Sequence, residues 1–186
     1  MRRLGCFIGL VALCMTFGHP AEARKSPSQH TASWSAATLP PPVQKIADGY
    51  ARQCRELGGR LSAKAGRPAI MTADLDGDGL QDFVLSPQSM TCSGAATAFC
   101  ANAGCEIKIA LSRDGYARPV SITGGQPTIA LTEAGASLEI WVDRTRCNSD
   151  DRAQACWATY SWRGGKASTD YVTRPVAEAA KPSANQ

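Results

Sequence analysis

Apolar residues recur at steps of three and four from Val43 onward: Val43, Ile46, Ala47, Tyr50, Ala51, Cys54 and Leu57. That spacing lays one apolar stripe along a helix over residues 43–57. Lys45, Asp48, Arg52, Arg55 and Glu56 fall on the other side. Gly58 and Gly59 predict the stop, because glycine accepts the left-handed conformation at a helix end. Cys54 sits on the stripe, which predicts a tie from the helix to a sheet.

Beyond the helix the apolar period falls to two or to short unbroken runs. Ala69, Ile70 and Met71, then Phe83, Val84 and Leu85, predict strands over residues 68–73 and 83–86. Residues 106–112 alternate, with Ile107, Ile109 and Leu111 on one side. Ser112-Arg113-Asp114-Gly115 reads as a hairpin turn. Residues 116–123 return as a strand, and Pro119 suggests an edge position. Gly124-Gly125 predicts another turn before strands over 128–131, 137–143, 157–163 and 166–172. Strands joined by tight turns pair antiparallel. The expected class is therefore α+β, mainly antiparallel β with about seven or eight short strands and one N-terminal helix, in a single disulfide-stapled domain over 43–173.

The flanks read differently. Residues 1–23 carry Arg2 and Arg3, an apolar run over 4–17 and the small-residue stretch Ala21-Glu22-Ala23, the pattern of a cleaved secretory signal. The run is too short to span a bilayer, so no transmembrane segment is expected in the mature chain. Residues 24–42, ending in Pro40-Pro41-Pro42, and 174–186 read as disordered linker and tail. A periplasmic or secreted location follows.

Cysteine use agrees with export. Cys6 and Cys14 leave with the signal, and Cys54, Cys92, Cys100, Cys105, Cys147 and Cys156 remain. Six cysteines allow fifteen connectivities. Cys147–Cys156 is the favoured pair because it brackets one loop between adjacent strands, and Cys100–Cys105 with Cys54–Cys92 is the preferred completion. Zinc is disfavoured, because the tightest spacing is Cys100 to Cys105 and the predicted domain has no histidine. Signal removal leaves 18 basic and 15 acidic residues, a formal charge of +3 without a basic cluster. Nucleic acid is not an expected partner.

The densest chemistry lies in Asp74-Leu75-Asp76-Gly77-Asp78-Gly79-Leu80-Gln81-Asp82. Oxygens at alternate positions suit a hard cation such as calcium, which gathers six to eight of them. A helix–loop–helix calcium site closes with an acid at position twelve, where Leu85 stands, and the flanks here predict strands. Closure at position nine, by Asp82, and the following Phe83-Val84-Leu85 resemble the calcium loop of FG-GAP and VCBS repeats, as in integrin α-chain propellers. The resemblance covers about fifteen residues. It implies the carboxylates of Asp74, Asp76, Asp78 and Asp82 as ligands, with the Leu80 carbonyl as a fifth. Those propellers repeat the unit, whereas this chain holds one copy. The order of helix, acidic loop, cysteine-bearing segment and late cysteine loop also looks like a group of small exported bacterial proteins, which implies location and calcium but no activity.

Catalysis finds little support. His19 and His30 fall outside the predicted domain, which removes histidine-based nucleophilic sites. Glu106, Glu133, Glu139 and Asp143 are the acids a paired-carboxylate hydrolase would draw on, but they fit solvated strand faces better. For binding, Trp141 shares a face with Glu139 and Asp143. Residues 157–163 divide into Trp157, Thr159, Ser161 and Ala158, Tyr160, Trp162. With Arg144, Arg146, Arg152 and Arg163 nearby, this predicts either an exposed aromatic–basic patch for a polysaccharide or envelope protein, or cross-strand aromatic packing. The expected function is an exported, non-catalytic calcium module with a cell-envelope binding or adhesion role. The alternative is a calcium-dependent periplasmic hydrolase or a hydrolase inhibitor.

Overall fold

The computed structural model describes residues 39–62 and 68–176. The expected signal, most of the linker and the end of the tail lie outside these residues.

Helix α1 spans Pro41–Glu56 and starts two residues earlier than its apolar stripe suggests. Two of the prolines expected to end the linker instead open the helix. A first-turn N–H has no intrahelical acceptor, so proline loses nothing there. Val43, Ala47, Tyr50 and Cys54 are buried as the stripe requires. Leu57, counted in that stripe, is the C-cap residue and is 56% exposed.

Ten strands follow: β1 (Arg60–Leu61), β2 (Ala69–Ala73), β3 (Asp82–Ser86), β4 (Cys92–Ser93), β5 (Cys100–Ala101), β6 (Gly104–Ala110), β7 (Val120–Thr132), β8 (Gly135–Val142), β9 (Gln154–Arg163) and β10 (Lys166–Pro175). All pairings are antiparallel. The main sheet runs β10-β9-β8-β7-β6-β3-β2, with β5 also on β6, and β1 and β4 form a separate ribbon. The molecule is thus a small β-rich α+β domain with an N-terminal helix, as expected.

Strand β7 departs from expectation. Gly124 and Gly125 do not turn the chain but lie inside one 13-residue strand. Its first half pairs with β6 and its second half with β8, and the register shifts between Gly125 and Thr128. A bulge of this kind bends the strand and lets it serve two half-sheets. The glycines are there for closeness. A Cβ on Gly124 would lie 2.3 Å from the Trp141 carbonyl oxygen and 2.5 Å from Ile140 Cδ1, and one on Gly104 of β6 would lie 2.4 Å from Gly124.

The sheet consequently folds over at β7 and encloses one core between its halves. Val84, Ile107 and Ile109 from one half pack with Leu138, Ile140, Val142, Ala158 and Trp162 from the other, and Leu75 of the acidic loop joins them. The second core lies on the opposite face of β3 and β6, where α1 packs through Val43, Ala47, Tyr50 and Cys54 onto Phe83, Leu85, Phe99 and Ala110. Covered on both faces, β3 is buried along its whole length. Each fully buried Leu, Ile or Val contributes about 1.5–3 kcal/mol. The Tyr50 hydroxyl donates to the Glu106 carbonyl at 2.9 Å, with the Leu85 carbonyl at 3.1 Å, and so fixes the helix over the β3–β6 pair.

The three disulfides are Cys54–Cys92, Cys100–Cys105 and Cys147–Cys156. Cys54 does not tie α1 to the main sheet, because Cys92 belongs to the β1–β4 ribbon. At the far end, β10 continues through Arg174 and Pro175, two residues past the expected domain boundary. Arg174 is held there by a two-pronged pair with Glu139, both distances 3.1 Å.

Candidate metal centre

The β2–β3 connection carries the acidic loop, and the antiparallel pairing of those strands brings Ala73 opposite Asp82 at its neck. Within it Gly77 and Gly79 have φ of +77° and +86°, which side-chain-bearing residues adopt at a cost. These reversals fold the loop back over Asp74. Asp74 Oδ1 accepts from the Gly77 and Asp78 amides at 2.7 and 3.1 Å, and Oδ2 from the Gly79 amide at 3.0 Å. Asp76 Oδ1 accepts from the Asp78 amide at 3.2 Å. Asp78 Oδ1 accepts from the Leu80 amide at 2.8 Å.

The result is convergence. Carboxylate oxygens of Asp74, Asp76 and Asp78 lie within 4.8 Å of one another, a group that could hold a metal ion. Each carboxylate oxygen has two lone pairs, so the backbone bonds leave acceptor capacity for a cation. Asp76 supplies the sharpest observation. It is 8% exposed, and its Oδ2 is buried without a hydrogen-bond partner. The nearest cation is Arg113, whose Nε stands 3.8 Å away. Burial first, then the charges of Asp82 and Asp78, push the Asp76 carboxyl above its ordinary range, against the pull of the Asp78 amide and Arg113. A cation in this position would reverse that balance.

Asp82 occupies a different place. It is fully buried and is not among the three converging acids. Its Oδ2 accepts from the Leu75 and Asp76 amides at 2.7 and 3.2 Å, and its Oδ1 from the Ser112 amide at 2.7 Å. The Ser112 hydroxyl lies 2.9 Å from Asp82 Oδ1 and 2.8 Å from Asp78 Oδ2, and so links the two acids. Leu80, expected to offer its carbonyl, is 60% exposed.

Three residues of this site escaped the sequence reading. Ser112 was legible only as a turn residue. It reaches Asp82 because β6 pairs with β3, with Phe83 opposite Ala110, and that pairing skips over β4 and β5. Arg163, expected on a basic patch, instead donates to the Leu75 carbonyl at 2.8 Å and the Ala136 carbonyl at 2.9 Å, which ties the loop to the other half-sheet. Tyr116 donates from its hydroxyl to the Gln81 carbonyl at 3.0 Å. Burial, then Asp82 and Asp78, push its ionisation upward.

Three of the four other candidate acids have structural partners, and Glu133 is exposed. Glu106 pairs with Lys108, and Glu139 with Arg174. Asp143 caps a short 3-10 turn through Thr145, whose hydrogen bonds hold its carboxyl below the ordinary range. Of the aromatic sets, Trp162 faces the core, while Trp157 lies beneath Arg174, whose guanidinium is 5.1 Å from the ring centre.

These features define a small disulfide-stapled β-rich domain with a built acidic loop at one end of its sheet. No family model, curated protein or solved structure matches the chain. Among the described residues no helix is long and apolar enough to cross a membrane.

Proposed function

We propose that this is an exported calcium-binding module in which the cation stabilises the fold, in a binding or adhesion role at the cell envelope rather than a catalytic one. The observation that carries the reading is the convergence of carboxylate oxygens from Asp74, Asp76 and Asp78, in a loop where Oδ2 of Asp76 is buried without a hydrogen-bond partner. Oxygen-only donors favour a hard cation, and a loop with backbone freedom at two glycines suits calcium better than the rigid octahedron of magnesium. The likeness of residues 74–85 to FG-GAP and VCBS loops supports the same ion. Asp82 and the Leu80 carbonyl complete the proposed ligand set, and Asp82 would have to exchange a backbone donor to join it. Three disulfides and the signal-like residues 1–23 support an oxidising compartment.

Calorimetric titration of the disulfide-bonded protein with calcium tests this reading. One equivalent should bind, with magnesium much weaker, and Asp76→Ala/Asp78→Ala should abolish it. A titration without heat or saturation at millimolar calcium, the weak end for extracellular sites, would sink the proposal.

A further inference from the structure

The acidic loop sits at the Asp82 end of β3, and a separate cleft opens past its other end. The cleft has a volume of about 710 Å³, and its lining includes Trp141, Gln88, Asn102, Gln126, Gln154 and Arg144. It shares no residue with the acidic loop. Its wall on one side is the β5–β6 hairpin, cross-linked by Cys100–Cys105. The β7 bulge also lines it through Gly125 and Gln126, and the Cε3 of the Trp141 ring lies beside Gly125, 3.4 Å from where a Cβ would be, an ordinary contact distance.

Gln126 is held in an unusual way. Its φ is +49°, a conformation that a residue with a side chain rarely adopts. Gln88 Oε1 accepts from the Gln126 amide at 3.0 Å and keeps it there. A bulge with a strained residue beside a cleft is a common way to aim a side chain at a ligand. Gln88 spends its acceptor on that bond, so its amide nitrogen remains as a donor. Among the described residues the side-chain amides of Asn102, Gln126 and Gln154 make no hydrogen bond. Charge is sparse and balanced: the lining carries one carboxylate, Asp143, whose Oδ1 accepts from Thr145, and one guanidinium, Arg144.

From this geometry we infer that the cleft is a glycan-binding site, with Trp141 as the platform for a sugar ring and the four carboxamides as partners for its hydroxyls. The chemistry selects the ligand class. A sugar ring has an apolar face that stacks on an aromatic ring, and each hydroxyl both donates and accepts, as each carboxamide does. A phosphorylated or strongly acidic ligand would find one arginine. An apolar peptide would bury four amides without partners, at about 1–3 kcal/mol for each. The inference does not rest on calcium binding, since the two sites lie at opposite ends of β3.

The test is a tryptophan-fluorescence titration of the whole disulfide-bonded protein with short soluble gluco-, chito- and uronate oligosaccharides, with and without calcium. At least one neutral series should bind. Trp141→Ala should weaken that binding by roughly tenfold to a hundredfold, as truncation of a central aromatic anchor does. Gln126→Gly, which suits the positive φ and keeps the fold, should weaken it several-fold, measured by calorimetry. Binding unchanged in Gln126→Gly and Trp141→Ala, or preference for the uronate series alone, or no binding of any series, would overturn the inference. Binding that persists without calcium would uphold it even if the acidic loop proved to take no metal.

Discussion

Asp82 and Asp76 are buried acids six residues apart in one loop, yet the protein treats them in opposite ways. Around Asp82 it supplies donors for both oxygens from Leu75, Asp76 and Ser112. Around Asp76 it leaves one oxygen bare, gathers two further carboxylates and offers only Arg113 at 3.8 Å. The first acid is satisfied by the fold and reaches an ion only by giving up one of those donors. The second belongs to a group with acceptor capacity to spare. A buried carboxylate is therefore not evidence of a metal by itself. What separates the two cases is whether the chain's own donors satisfy the group.

Removing Asp82 should give the largest effect. Asp82→Ala leaves the Leu75, Asp76 and Ser112 amides buried without an acceptor, and chemical denaturation should show a loss of about 3 kcal/mol or more, with or without calcium. A loss confined to calcium-containing solutions would mean that Asp82 is chiefly a ligand, and the contrast between the two acids would collapse.

Acidity offers a smaller and opposite-signed handle. The folded-state Asp76 carboxyl is raised above its unfolded value. In calcium-free solution this group's contribution is therefore fully present below the unfolded value and is lost as pH rises through the folded one. Calcium needs the ionised form, so its stabilisation should shrink as pH falls through the carboxylate range. Melting midpoints measured with and without calcium should converge as pH falls from about 7 toward about 4. A calcium increment that stays constant across that range would place the bound ion away from Asp76.

Much of this architecture was legible in the chain. The 3.6 period of Val43, Ala47, Tyr50 and Cys54 identified the buried helix face, and the tight turns implied antiparallel pairing. The Cys147–Cys156 disulfide is the one expected from its bracketing of a single loop, and the other two fall on the preferred completion of a connectivity that the sequence leaves open. Local pattern failed where a residue's role is set by a distant strand. Gly124 and Gly125 look like a turn, but the approach of Trp141 and Ile140 makes them the bend of a continuous strand. Within the acidic loop, spacing found every acid but could not divide them. Asp82 stands apart because β6 delivers Ser112 to it, and nothing between residues 74 and 82 encodes that delivery.

The most direct measurement is the thermal midpoint of the disulfide-bonded protein with and without calcium, run beside Asp76→Asn. At about 100 times its dissociation constant, an ion that binds only the folded state adds about 2.7 kcal/mol. That should raise the wild-type midpoint by roughly 5 °C or more. Asp76→Asn should be at least as stable as wild type without calcium and should show no calcium response. Equal shifts in the two proteins, or none in wild type, would contradict the assignment of Asp74, Asp76 and Asp78 as the cation site.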